Sequence, residues 1–331
     1  AAESINRTGV KEAELMKWCQ QTSYLSFDSV EVKTHITEGM VKVGEGSSSE
    51  VFLLPSKKIL KLVPIDENID EILLDLKISN EMGKLEKGSN ENQAPGFVTV
   101  EECKIVQGKC PATIVSAWDL YEEQVGSENK SPVEWSEKQK CLFMISRDAG
   151  QTLNDFEPLD SAGAETVLRQ VCLALAAAEA ELEFEHRDLH MGNILVEKTE
   201  EKATSYRIKS KTYSISNRGL AASIIDYSYS RLKTEDGEIL FTDFSNVDPS
   251  EFNRSVLFRL MKNRNGNNWR DFTSYSNILW LQYLIAQIIS YKLTDHQGED
   301  IASKDLWNLL QTVPNYNSVI ELVKSEKFFT K

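Results

Sequence analysis

An aspartate and an asparagine five residues apart, Asp188 and Asn193, lie in Phe184-Glu185-His186-Arg187-Asp188-Leu189-His190-Met191-Gly192-Asn193-Ile194-Leu195-Val196. A carboxylate at the first position can orient an incoming hydroxyl, and an amide oxygen at the second can coordinate a hard divalent cation. Phosphoryl transfer asks for both. Further on, Ile224-Ile225-Asp226-Tyr227-Ser228 offers a carboxylate leaving an apolar strand, suited to the same cation. Earlier in the chain, Gly44 and Gly46 stand between two strand-like segments, where backbone N–H groups can approach phosphates because glycine has no Cβ. Lys61 on the next strand carries an ammonium that can reach the α and β phosphates. Glu71 and Asp75, one turn apart on the helix that follows, can each neutralise it. Taken singly, these features also read as a capped turn, a strand end, a Gly-rich hairpin and a solvated lysine. In this order they point to a phosphotransferase.

The elements that must position these residues follow from periodicity and turn signals. Helix is expected over 11–21, then strands over 40–43, 50–54 and 59–63, and a helix over 70–84 with Ile69, Ile72, Leu73 and Leu76 at steps of three and four. Strands are expected over 97–106, 111–117 and 141–145, with 122–138 a polar surface loop. Beyond this the alanine-rich stretch 165–183 predicts a long buried helix. Short strands (194–196, 206–209, 213–215, 223–225) and helices (251–262, 275–293, 303–312, 318–324) complete the pattern. A sheet-rich first third and a helical remainder predict an α+β, bilobal fold with a ligand cleft.

Composition sets the outer limits. Among 331 residues, 41% are hydrophobic, with 16 glycines and 8 prolines, which excludes collagen-like and disordered classes. No apolar run approaches the roughly 18 residues of a membrane span. The net charge of −14 disfavours nucleic acid and anionic lipid and favours basic partners. Five cysteines without a CxxC pair predict reduced thiols in a cytosolic or nuclear protein. The start, Ala1-Ala2-Glu3-Ser4, has neither an initiator methionine nor a leader pattern and reads as a piece of something longer.

The ordered set resembles the eukaryotic protein kinase fold: Gly-rich loop, strand lysine, helix acid, His-Arg-Asp loop and a later aspartate at the metal position. Within that superfamily the chain resembles the haspin family of atypical histone kinases. The features that carry this are His186-Arg187-Asp188-Leu189-His190-x-Gly192-Asn193, the metal motif from Ile224 to Leu232, and Tyr275-Ser276-Asn277-x-Leu279-Trp280-Leu281 in the absence of Ala-Pro-Glu. The resemblance implies a β-rich N-lobe (39–145) preceded by an extension (1–38), and a mainly helical C-lobe (146–331). It implies that Asp188 receives or orients the hydroxyl proton, that His190 sits near the transferred phosphate, and that Asn193 and Asp226 hold Mg²⁺. Lys61, paired with Asp75 or Glu71, grips the phosphates of ATP; Gly44, Glu45, Gly46, Ser47, Ser48 and Val51 cover the nucleotide. The resemblance further implies that adenine is received along Ser146, Arg147, Asp148 and Gly150. The chain departs from the family at Ser49, where a third glycine is usual, and at Asp75, where the family has glutamate. The implied substrate is a threonine, third in the basic N-terminal tail of histone three, held by carboxylates such as Asp155, Glu157, Asp243, Asp248 and Glu251. The implied protein is a monomer, in the nucleus and on mitotic chromosomes, without direct DNA or membrane binding and without need of activation-loop phosphorylation. Two other readings stay open: a small-molecule phosphotransferase of the aminoglycoside or choline type, and an inactive scaffold.

Overall fold

The computed structural model describes residues 2–46, 49–66, 68–89, 91–294 and 301–329. The chain forms two compact units, one of residues 1–76 and 99–148, the other of 77–98 and 149–331.

The first unit is built on a five-stranded antiparallel sheet. Its strands are β1 (Val41–Gly46), β2 (Ser49–Leu53), β3 (Lys58–Pro64), β4 (Val100–Gln107) and β5 (Lys140–Arg147), in the order β1-β2-β3-β5-β4. Alternation of side chains along a strand gives the sheet two apolar faces. Phe143 and Ile145 of β5 join Phe52, Leu60 and Leu62 on one face; Leu142 and Met144 join Val63 and Ile105 on the other. The second face is covered by Leu15 of helix α1 (Ala2–Trp18) and by Ile69, Ile72, Leu73 and Leu76 of helix α3 (Ile69–Lys87). The first is covered by Val32 of the short helix α2 (Val30–Lys33) and by Ile114 and Ala117 of helix α4 (Ala112–Gln124).

Helix α4 corrects the sequence expectation of a strand over 111–117 and of a loop from 122. Its β-branched run, Thr113-Ile114-Val115, has strand propensity. The buried positions Ile114, Ala117 and Trp118 nevertheless follow the three-and-four spacing of a helix, and Pro111 stands in extended backbone just before its first turn. Strand β4 also starts later than expected, at Val100 rather than Phe97. The N-terminal helix runs over Ala2–Trp18 rather than 11–21.

The second unit is organised around helix α5 (Ser161–Leu182), buried along almost its whole length and capped by the Asp160 carboxylate, which accepts from Gly163 N–H at 2.7 Å. Strands β6 (Gln151–Thr152), β7 (Ile194–Lys198) and β10 (Leu220–Ile224) form a small antiparallel sheet, with hairpins β8 (Ala203–Ile208)–β9 (Lys211–Ser216) and β11 (Arg231–Lys233)–β12 (Ile239–Phe241) beside it. Helices α6 (Ser255–Arg264), α7 (Tyr275–Gln287), α8 (Lys304–Thr312) and α9 (Val319–Ser325) complete it. Two expected helices are shorter: a 3-10 turn over Pro249–Glu251 precedes α6, and α7 passes into a π turn over Ile288–Lys292. Among the described residues no helix is long and apolar enough to cross a membrane.

Candidate active site

In the first unit Lys61 lies on β3 between Val51 of β2 and Met144 of β5. Its ammonium is 3.7 Å from the Asp75 carboxylate on α3, and both are part-exposed. Glu71, one turn earlier, is exposed to solvent. The structure therefore sets the shorter acid, Asp75, beside the lysine. The β1–β2 hairpin pairs Gly44 with Val51, Glu45 with Glu50 and Gly46 with Ser49. The Glu45 side chain, expected at a nucleotide, turns instead to Lys42 (2.5 Å), to the Ser127 hydroxyl (2.5 Å) and to the Glu128 N–H (2.8 Å). Burial raises its pKa, but these bonds outweigh burial and hold the carboxyl below its ordinary range. Only the backbone of Glu45 is left for a phosphate. Ser47 and Ser48 lie outside the described residues. Ser146 and Arg147 end β5, opposite Ile59 and Lys58, and Asp148 is the last residue of this unit.

In the second unit, which resumes at Ala149, Gly150 has φ +92°. A Cβ there would stand 2.2 Å from the Val196 carbonyl oxygen, so the position admits only glycine. Helix α5 ends at Glu183 in left-handed conformation (φ 47°), and the loop after it holds the residues expected from the sequence to act in phosphoryl transfer. Glu185 and Arg231 exchange backbone hydrogen bonds of 2.8 and 2.9 Å. His186 is fully buried: its N–H donates to Asn277 Oδ1 (3.1 Å), its Nε2 meets the Ile225 carbonyl (3.0 Å), and its Nδ1 accepts from Asp188 N–H (3.3 Å). Burial depresses the ring's pKa, which suits this neutral tautomer. The Asp188 carbonyl accepts from Asn193 Nδ2 (2.9 Å) and from His190 N–H (3.0 Å). The nitrogen end of the Asn193 amide is thereby committed, and its oxygen is the end that can meet a cation. The Asn193 carbonyl accepts from Ile225 N–H at 3.0 Å, which brings Asp226 beside Asn193. Asp226 stands at φ 64°, its Oδ1 accepting from the Ser228 N–H (3.2 Å) and hydroxyl (2.7 Å). Asp188 and Asn193 are thus joined through the Asn193 side-chain amide, and a backbone bond ties Asn193 to the residue before Asp226.

His190 Nε2 is 3.6 Å from Asp188 Oδ2, and its Nδ1 accepts from Gly192 N–H at 3.0 Å. Arg254, at the start of α6, brings Nη1 within 3.8 Å of Asp188 Oδ1. Beneath the loop, Arg187 is wholly buried. It donates to Glu185 Oε2 (3.1 Å) and to the Trp269 carbonyl (2.7 Å), and Glu185 Oε1 accepts from Thr273 N–H (2.7 Å). The donor set of Asn193 and Asp226 is one amide oxygen and one carboxylate. This fits Mg²⁺, which takes one or two protein ligands and fills the rest with phosphate and water. Among the described residues no three His, Cys, Asp or Glu side chains gather into a closed metal cage.

The family model described as a haspin-like kinase domain matches residues 7–331. The chain belongs to the haspin-like kinase family. It is 30% identical over 91% of its length to the serine/threonine-protein kinase haspin homolog of Drosophila melanogaster, covering 58% of that protein. It is 33% identical over 87% of its length to the haspin of Bos taurus (40% of that protein), and 32% over 94% to the haspin of Mus musculus (44% of that protein). The chain therefore spans about half the length of the curated haspins it matches.

The acidic residues of this haspin-like chain have local work of their own. Asp248 and Glu251, read from the sequence as substrate ligands, form a capping box. Asp248 accepts from Ser250 N–H (2.8 Å), and Glu251 accepts from Asp248 N–H (3.2 Å). Hydrogen bonds from Ser250 hold the Asp248 carboxyl below its ordinary pKa. Asp-Pro-Ser-Glu was a legible signal for this turn. Asp155 accepts from the Thr152 hydroxyl (2.6 Å), Asp243 from Ser245 N–H (2.9 Å), and Glu157 is ion-paired with Lys292. Sequence reasoning missed Arg254 beside Asp188. It also missed the part of Asn277, whose Nδ2 donates to the Phe184 carbonyl (2.8 Å) and to Glu179 Oε1 (3.0 Å). Tyr275-Ser276-Asn277 was noticed only as a point of resemblance.

Proposed function

We propose that this chain is an ATP- and Mg²⁺-dependent serine/threonine protein kinase. Its substrate is the threonine third from the amino terminus of the histone three tail. It acts as a monomer in the nucleus, on mitotic chromosomes, without binding DNA directly. The observation that supports the reading is the hydrogen-bonded chain from the Asp188 carbonyl through Asn193 to Ile225, the residue before Asp226. Asp188 orients the threonine hydroxyl and takes its proton. Asn193 and Asp226 present oxygens to the cation, and Lys61, neutralised by Asp75, binds nucleotide phosphate. When bound, Mg²⁺ neutralises charge on the phosphoryl oxygens. A basic tail is favoured by the −14 net charge and by the exposed carboxylates Asp243, Asp248 and Glu251 near the metal motif in sequence. The relatives named as haspin serine/threonine kinases support the same reaction class.

The test is phosphate transfer to histone-tail peptides with and without the arginine and lysine that flank the threonine. The intact peptide is expected to be phosphorylated and the trimmed peptides to lose most of the rate. Transfer to choline or an aminoglycoside instead would move the chain to the small-molecule phosphotransferases.

A further inference from the structure

We propose that Asn129, together with Glu45 and the buried ammonium of Lys42, clamps the β1–β2 hairpin from outside, and that this clamp sets ATP affinity. The inference rests on the kinase reading, in which the Gly44–Gly46 arm lies over the nucleotide.

Among the described residues strand β1 is the edge of its sheet and pairs with no strand but β2, so the sheet holds its far end from one side. What holds it comes from α4 and the segment that follows. The Lys42 side chain is fully buried, with its ammonium 2.5 Å from Glu45 and 2.7 Å from Glu50. The same ammonium sits 4.3 Å from the centre of the Tyr121 ring and 5.2 Å from that of Trp118, both on α4. This cation–π contact, joined to two carboxylates, secures the root of the hairpin. Nearer the tip, Glu45 accepts from the Ser127 hydroxyl and the Glu128 N–H (2.5 and 2.8 Å). The Asn129 amide donates to the carbonyls of both arms at the last pair, Gly46 at 3.0 Å and Ser49 at 3.3 Å. One side chain thus spans the rung where the two strands part. Glycines that let backbone approach phosphate also leave the hairpin conformationally free. An external brace removes that freedom before the ligand arrives, so less ordering opposes binding.

The experiment uses the whole chain, with Asn129→Ala and the isosteric Asn129→Asp, which replaces the donor by an anion facing two carbonyls. Asn129 is half-buried and outside the sheet, so both variants should fold, with a Tm lowered by no more than a few degrees. The expected result is a rise of about five- to tenfold in Kd and KM for ATP, because binding must then order the unbraced hairpin. The peptide KM should stay unchanged, kcat should stay within about twofold, and amide exchange at 44–46 should be faster. Unchanged ATP Kd in both variants, with wild type binding ATP normally, would overturn the clamp alone. A wild-type chain that binds no ATP would overturn the kinase reading and the clamp with it.

Discussion

The hydrogen bonds by which Asp188 fixes its loop are made by its backbone, while among the described residues its carboxylate has only the longer contacts to His190 (3.6 Å) and Arg254 (3.8 Å). Its N–H donates to His186, and its carbonyl accepts from Asn193 and His190, so the carboxylate can be replaced without dismantling the loop. Asp188→Asn should therefore fold, bind ATP with unchanged affinity and lose about 10²- to 10⁴-fold in turnover, read by steady-state kinetics beside nucleotide binding. Asp188, Asn193 and Asp226 could be nominated from sequence because the chemistry expected of them is tied to local spacing and to an apolar strand on one side. The residues that hold them were not. Asn277 donates to and accepts from the loop across some 90 positions of sequence, and Arg254 reaches Asp188 across 66. No local pattern reports such a pairing. The capping box of Asp248 and Glu251 was legible, and reading those acids only as ligands overlooked it.

At the scale of elements, α4 was misread because its run of β-branched residues was weighed without Trp118, which completes the helical stripe. Helix α5 was read correctly because its apolar residues cover nearly every position. The same burial encloses Glu179, which accepts from Asn277 of α7 (3.0 Å) and from Ile320 N–H of α9 (3.1 Å), so one carboxyl joins three helices. Burial pushes its pKa up to about 7, against the hydrogen bonds that lower it. The folded state then keeps a proton that the unfolded chain releases near pH 4.5, so this group's contribution to stability falls as pH rises from about 4.5 to 7. Urea unfolding of wild type and Glu179→Gln should show the difference between them moving in favour of glutamine from pH 5 to pH 8. The expected size is on the order of 3 kcal/mol.

For the molecule as a whole, periodicity and turn signals foretold a sheet-rich first part and a helical second part. They did not foretell that residues 77–98 leave the sheet unit and pack with the helical one. Tertiary contact decides this: Phe97 bridges to Ile224, and Gln93 to Arg207. Regulation also belongs to this scale. With Arg187 wholly buried and bonded to Glu185 and Trp269, the guanidinium has internal acceptors and needs no phosphate to anchor it. Protein made in bacteria and treated with phosphatase should phosphorylate the tail peptide at the same rate as untreated protein; a lasting loss of rate after treatment would refute this.

Gly150 bears on how natural variation in this gene should be interpreted. With carbonyl oxygen 2.2 Å from where a methyl group would begin, even alanine collides with main chain that has no slack to yield. A missense change at that codon is damaging on steric grounds, whatever the incoming residue's charge or polarity.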